Sequence, residues 1–346
     1  MQQLTFVEAG TVEWREVPAP ELSDPGAALV RPLAVSRCDL DLPMAAAGIF
    51  PGPFAVGHEI VAEVVEVGAE VTRARPGDRV LVPFQVSCGG CVACRGDRFG
   101  ACHEFRAQVG GAFGFGEAGG GHGGGVSDLL LTPAADHLLV PAPDNVDPSV
   151  LCTLVDNVCD GYRTVAGPLA AMPGAEVLVV GGAGNSVGLY SVAAALALGS
   201  ERVRFVDRDA DLCAAAERLG AEATQLDGPW PRAFDRALVT IENTMDPDGL
   251  ACAIRSTDDY GWCTSIAIHF GQTTPMPLLH MYTKGITFHA SRADSRRLLP
   301  EVIDLVASGR LDPTAVPTTV VPWEDAADAW LEPATKLVVA RETAAA

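Results

Sequence analysis

Cys88, Cys91, Cys94 and Cys102 form a C-x2-C-x2-C-x7-C run within one short loop, in a chain of 346 residues with only ten cysteines. Four sulfurs at this spacing match what a tetrahedral zinc requires. Each two-residue gap turns neighbouring side chains inward onto one metal, at Zn–S distances of about 2.3 Å. Gly89 and Gly90 supply a tight turn that larger residues would resist. Four protein ligands leave no open coordination position, so a zinc held here is structural and the chemistry lies elsewhere. The alternatives are two disulfides, which suit an oxidising compartment, and an iron–sulfur cluster, although nothing else in the chain suggests electron transfer.

A second chemistry is carried by Gly181-Gly182-Ala183-Gly184-Asn185-Ser186-Val187-Gly188, followed by Asp207. Glycine lets the first turn fold tightly and brings the backbone close to a pyrophosphate, which then rests on a helix N-terminus. A carboxylate about 20 residues further on accepts from the adenosine ribose hydroxyls. The residues expected at a dinucleotide are Gly182, Gly184, Asn185, Ser186, Val187, Gly188, Asp207 and Arg208. The run is not a clean G-x-G-x-x-G ending at Gly188, because Ala183 and Asn185 occupy expected glycine positions. A one-residue shift or a slightly longer loop follows. Asp207 repels a 2′-phosphate and favours NAD(H) over NADP(H), with Arg208 partly offsetting that preference. A plain parallel-sheet turn without nucleotide is the alternative reading.

These groups need elements to hold them. Up to about residue 150 the pattern is of short strands punctuated by turns, such as Ile60–Val67 ending at Gly68, and Arg79–Pro83 after Pro76-Gly77-Asp78. The glycine-dense stretch Gly110–Gly125 reads as an irregular loop carrying Phe113 and Phe115. From about Leu151 the pattern becomes strand, turn, helix, strand: Ala175–Val180, the glycines, Leu189–Leu198, then Arg202–Val206. Further alternation (helix Ala210–Leu219, strands near Ala237–Ile241 and Gly261–Ile268) predicts an α/β fold with a doubly wound parallel sheet. A helix at Leu298–Ser308 and a strand at Leu337–Ala340 complete the chain.

The length suffices for two domains. A net charge of −20 argues against nucleic acid and anionic membrane as partners. The start MQQLTFVEAG lacks the pattern of a signal peptide, no apolar run is long enough to span a bilayer, and a cytoplasmic location is expected. Lysine occurs only at Lys284 and Lys336 among many arginines, a bias read as genomic.

Cys38, Gly57-His58-Glu59 and Asp156, taken with the cysteine lobe and the glycine turn, resemble the zinc-dependent medium-chain dehydrogenase/reductases, the alcohol dehydrogenase family. The resemblance implies a GroES-like β-rich catalytic domain (residues 1–150 and 291–346, with the lobe at 88–102) and a Rossmann cofactor domain (151–290). It implies two zinc ions per chain, NAD(H), a small-molecule substrate and a homodimer or homotetramer pairing near Gly261–Ile268. Carried over by position, Cys38, His58 and Asp156 are the ligands of an open catalytic zinc, with Cys159 as reserve. Glu59 becomes the nearby carboxylate able to swing in, and Asp41 the acid orienting His58. Phe84 matches a substrate-pocket aromatic. With Leu40, Ile49, Phe50 and Phe113 it suggests a partly apolar pocket, while His122 is expected to face solvent. The implied function is hydride transfer between NAD(H) and an alcohol/aldehyde or ketone. One departure stands out: Leu40 and Pro43 occupy the family's proton-relay positions. That leaves Asp39, Asp160 or a water with Glu59 to move the proton. It also motivates an alternative, a reductase of an activated C=N or C=C bond.

Overall fold

The computed structural model describes residues 1–182, 185–271 and 273–342. They fall into two compact units. The first comprises Met1–Cys159, Asp294–Ser308 and the chain from Thr318 onward; the second comprises Asp160–Ala293 and Gly309–Pro317. The first crossing therefore lies inside the helix Asn157–Ala171, later than residue 150. The turn Cys152–Val155 packs against the strand Glu59–Val67, which keeps Asp156 with the first unit.

The first unit is built on a seven-stranded sheet. Its path runs Thr319–Pro322, Leu337–Ala340, Ala28–Arg37, Glu59–Val67, Arg79–Val82, Val140–Pro141, with Leu130–Thr132 also paired to Ala28–Arg37. Pairing is antiparallel except between Thr319–Pro322 and Leu337–Ala340. Alternate residues Ile60, Ala62 and Val64 face one core with Val30, Val35, Val80 and Val82, as the two-residue period of a strand dictates. Pro32 sits where the register slips between Pro32 and Ala34, a place where a residue without an N–H is tolerated.

The second unit holds a six-stranded parallel sheet: Glu222–Gln225, Val203–Asp207, Val177–Val180, Ala237–Glu242, Thr257–Ser265, Thr287–Ala290. The spatial order, third strand through first and then fourth through sixth, is that of the doubly wound dinucleotide fold. Val177–Val180 is wholly buried, as a strand covered on both faces must be. Asp209 accepts from the Asp211 and Leu212 N–H groups to start the helix Ala210–Leu219, and Gly220 ends it in the left-handed conformation. The link between Glu222–Gln225 and Ala237–Glu242 contains no helix. The strand expected near Gly261–Ile268 forms at Thr257–Ser265 but is interior; Thr287–Ala290 is the edge. Among the described residues no helix is long and apolar enough to cross a membrane.

Candidate functional site

Cys38 follows the strand Ala28–Arg37 in a turn closed by its own N–H donating to Asp41 Oδ2 at 3.2 Å. His58 immediately precedes the neighbouring strand, in which Glu59 is the cross-strand partner of Ser36. Gly57 before it has φ 89°, and an added Cβ would lie 2.9 Å from both Val126 and Val35, so the tight entry to His58 requires glycine. Asp156 lies between the turn Cys152–Val155 and the helix Asn157–Ala171. Ligand-type atoms of Cys38, His58, Glu59 and Asp156 all lie within 4.8 Å of one another, and all four residues are buried. Cys159 is buried but outside this group.

His58 Nε2 is 3.5 Å from Asp156 Oδ2, and Nδ1 is 3.6 Å from Asp41 Oδ1. A carboxylate beside one ring nitrogen orients the other toward a metal. Nδ1 itself, though buried, makes no hydrogen bond in this arrangement. Glu59 is held from behind. Lys336 Nζ donates to Glu59 Oε1 and Oε2 at 2.8 Å each, to the Arg37 carbonyl at 3.0 Å and to Asn157 Oδ1, while Ser36 donates to Glu59 Oε2. Asn157 Nδ2 lies 3.5 Å from Cys38 Sγ. Nothing in the local sequence pattern announced Lys336 or Asn157; the one signal was the rarity of lysine.

The electrostatics of this cluster favour a cation. Burial, then the Asp156, Asp41 and Glu59 carboxylates, push the Cys38 thiol well above its usual range. Burial opposes charge on His58, yet Asp41 and Asp156 hold its proton on up to about 9. Burial likewise acts to raise Asp156, but its contact with His58 keeps it below the usual carboxylate range. Burial raises Asp41. Three carboxylates and a thiol thus face one imidazole, one ammonium and the Arg37 guanidinium beside Asp41. A dication lets the Cys38 thiol ionise and replaces the His58 proton, and a sulfur, nitrogen and carboxylate donor set suits zinc. Around His58 the rings of Phe115 and Phe84 stand at 5.0 and 5.5 Å, with Phe50 edge-on to Phe115. Phe113 is core, Ile49 is exposed, Leu40 is half-buried and Pro43 is exposed. His122 is half-buried against Phe105 and Phe113 rather than turned to solvent. Asp160, in the second unit, is engaged by Arg163.

Sulfurs of Cys88, Cys91, Cys94 and Cys102 also lie within 4.8 Å of one another. Backbone N–H groups of Cys88, Cys91 and His103 donate to Cys102, Cys88 and Cys91 sulfurs at 3.3–3.4 Å. Such amides hold Cys91 down at about 5, while burial and the Cys91 sulfur push Cys94 up to about 12. One central cation removes that conflict and lets all four ionise.

In the second unit Asp207 ends the strand Val203–Asp207 and is 2% exposed. Its Oδ1 accepts from the Asp209 N–H at 2.9 Å, and Oδ2 is buried without a partner. An added Cβ at Gly181 would sit 2.2 Å from that oxygen, so Gly181, absent from the expected set, makes room for the carboxylate. Gly182 is exposed at φ 129°. Ser186, Val187 and Gly188 are buried in the first turns of the helix Asn185–Ala197. Gly184 and the side chain of Asn185 lie outside the described residues. The Arg208 guanidinium stacks 4.8 Å above the Trp230 ring. An orphaned acceptor beside a helix N-terminus fits a ribose and pyrophosphate.

Comparison with known proteins shows the family and the fold. Residues 24–144 match the alcohol dehydrogenase GroES-like domain. A probable zinc-binding alcohol dehydrogenase of Mycobacterium tuberculosis is 29% identical over 334 residues, covering 94% of this chain and 84% of that one. A medium chain reductase/dehydrogenase of Acremonium sp. is 31% identical over 229 residues, 62% of this chain and 75% of its own. The alcohol dehydrogenase TADH from Thermus sp. ATN1 superposes with a TM-score of 0.90 at 27% identity, over 99% of this chain and 100% of its own. This chain belongs to the zinc-type medium-chain dehydrogenase/reductases, as an alcohol dehydrogenase-like oxidoreductase.

Proposed function

We propose that the protein transfers a hydride between NAD(H) and an alcohol/aldehyde or ketone, using one zinc at Cys38, His58 and Asp156 and a second, structural zinc in the cysteine lobe. The observation that carries this reading is the buried Cys38–His58–Glu59–Asp156 cluster, whose thiol and imidazole both keep their protons until a cation replaces them. When bound, zinc supplies a Lewis acid and the dinucleotide a hydride donor or acceptor. The Asp41 carboxylate, 3.6 Å from His58 Nδ1, favours by its charge the ring orientation that turns Nε2 to the metal. Lys336 and Ser36 grip both Glu59 oxygens, so Glu59 is a held neighbour rather than a free ligand. Phe84 and Phe115 flank His58 and exclude water from its faces. Asp207 Oδ2 accepts from the ribose hydroxyls, which favours NAD(H) over NADP(H). Leu40 and Pro43 offer no proton path, so Asp39 or a water held by Glu59 takes that role. The relatives above, two of them named as alcohol dehydrogenases, lend no support to the C=N or C=C alternative.

A homodimer or homotetramer is supported by the edge strand Thr287–Ala290 and, separately, by exposed Phe270, Leu278, Leu279 and Tyr282. An unpaired edge and exposed apolar side chains are each features that a second copy can cover. The test of the main reading is zinc per chain by elemental analysis, with alcohol-dependent NADH formation, on the parent and Cys38→Ala. Two zincs should fall to one with loss of activity. Unchanged zinc or unchanged turnover in Cys38→Ala would remove the catalytic assignment.

A further inference from the structure

We propose that Trp230 sets the cofactor preference of the second unit by holding Arg208 away from the 2′-position of the adenosine ribose. The inference rests on the dinucleotide reading given above and adds a residue that neither motif nor resemblance supplied. Residues 226–236 join an edge strand to the sheet interior without a helix, and this loop carries Trp230 back over the glycine turn. An added Cβ at Gly182 would meet the Trp230 ring at 3.6 Å. The ring is fixed in place. Its Nε1 donates to Asp246 Oδ2 at 2.9 Å, and it packs against the cluster that includes Leu178, Val180 and Val206. Asp246 also caps the helix Pro247–Arg255 through Oδ1, so the anchor is itself anchored.

Arg208 follows Asp207 directly, where a guanidinium can accommodate a 2′-phosphate. In this chain the guanidinium is engaged elsewhere. It lies over the Trp230 ring at 4.8 Å and donates to the Gly228 carbonyl of the same loop. Asp207 Oδ2 is left as a buried acceptor without a partner. A hydroxyl satisfies that oxygen, whereas a phosphate oxygen has no hydrogen to offer and repels it. Selection against NADP(H) thus has two parts: a carboxylate that rejects phosphate, and an aromatic ring that withholds the compensating cation.

The test is calorimetric measurement of Kd for NADH and NADPH on zinc-loaded protein, which does not depend on turnover. Trp230→Leu keeps apolar packing but removes the π face. It should narrow the NADPH-to-NADH ratio of Kd values by about tenfold, the scale of one charged hydrogen bond regained. Trp230→Phe should behave as the parent, and Trp230→Leu with Arg208→Ala should lose the gain. An unchanged ratio in Trp230→Leu overturns the proposal, as does an equal gain in the double variant. Arg208→Ala alone is an exposed change safe for folding. It should weaken NADPH binding to the parent by less than about threefold, and a weakening of about tenfold or more would overturn the proposal even if the Trp230 variants misfold. A parent that binds neither dinucleotide overturns the cofactor reading itself. A parent that binds NADH, with variants of unchanged ratio, overturns only the role of Trp230.

Discussion

Replacing Lys336 by Met tests the charge balance behind the proposed metal site. Lys336 is 1% exposed, and its ammonium is shared among both oxygens of fully buried Glu59, the Arg37 carbonyl and Asn157 Oδ1. Methionine fills similar space without charge, so what is lost is the pairing rather than the packing. Removing one partner of a buried pair costs roughly 3–5 kcal/mol. Glu59 has one escape, which is to take a proton. Burial already lifts it to about 7 against the pull of Lys336 and His58. Losing the ammonium lifts it further, so the deficit grows by about 1.4 kcal/mol for each pH unit above 7 until Glu59 of the variant ionises as well. Protonation being the cheaper route, the loss should reach about 1.4 kcal/mol at pH 8. The deficit should shrink as pH falls below about 7, where Glu59 of the parent also takes a proton. Urea unfolding of both proteins from pH 5 to 8, with the m-value checked for constancy, measures it. Lys336→Met with Glu59→Gln should recover at least half of the loss. A single-variant loss at pH 8 below about 1 kcal/mol, the level of an exposed pair, or a double variant no more stable than the single, would refute the reasoning.

Two further perturbations concern the cysteine lobe. Cys94→Ala should release one zinc per chain and lower the melting temperature sharply, since structural zinc sites contribute on the order of 10 kcal/mol. A melting temperature equal to the parent's would count against a structural metal. Beneath the lobe, His137 Nε2 lies 2.9 Å from Ser87 Oγ, and burial, Arg296 and Arg73 hold its pKa down at about 4. Because the folded value lies below the usual 6.5, the stability at stake is present above about 6.5 and lost as pH falls through about 4. After discounting for partial exposure the loss is about 1–2 kcal/mol. His137→Gln should flatten that part of the stability profile, and identical acid limbs in the two proteins would rule the histidine out as its source.

Local features were legible in the sequence. The helix Ala210–Leu219 formed within its expected limits because Asp209 and Gly220 write both of its caps into the chain. Strand alternation marked Ile60–Val67 within the observed strand Glu59–Val67, and the cysteine spacing required only a short loop. What escaped the reading depends on distant chain. Lys336 meets Glu59 through a strand insertion that no local pattern encodes. Gly181 matters because of where the Asp207 carboxylate arrives, and that position is set by the parallel register of two strands. The edge was misassigned to the Gly261–Ile268 region because a polar, mixed strand such as Thr257–Ser265 carries no sign that Thr287–Ala290 will cover it. Asp156 rested on resemblance alone, and the turn Cys152–Val155 packing on Glu59–Val67 is what brings it to His58.

Chain order gives the cysteine lobe and the Glu59–Lys336 pair different histories during synthesis. Cys88 and Cys102 are separated by 14 positions, so the lobe can close soon after it leaves the ribosome. Glu59 and Lys336 are separated by 277. At about 5–20 residues per second, roughly 15–55 s pass between the appearance of one and the other. During that interval the strand Ala28–Arg37 lacks Leu337–Ala340 along one side, and a buried carboxylate waits for its counter-ion. The nascent protein therefore carries an open hydrogen-bonding margin on its first sheet until the second unit has been made. That margin is where a holding chaperone would do most to prevent aggregation.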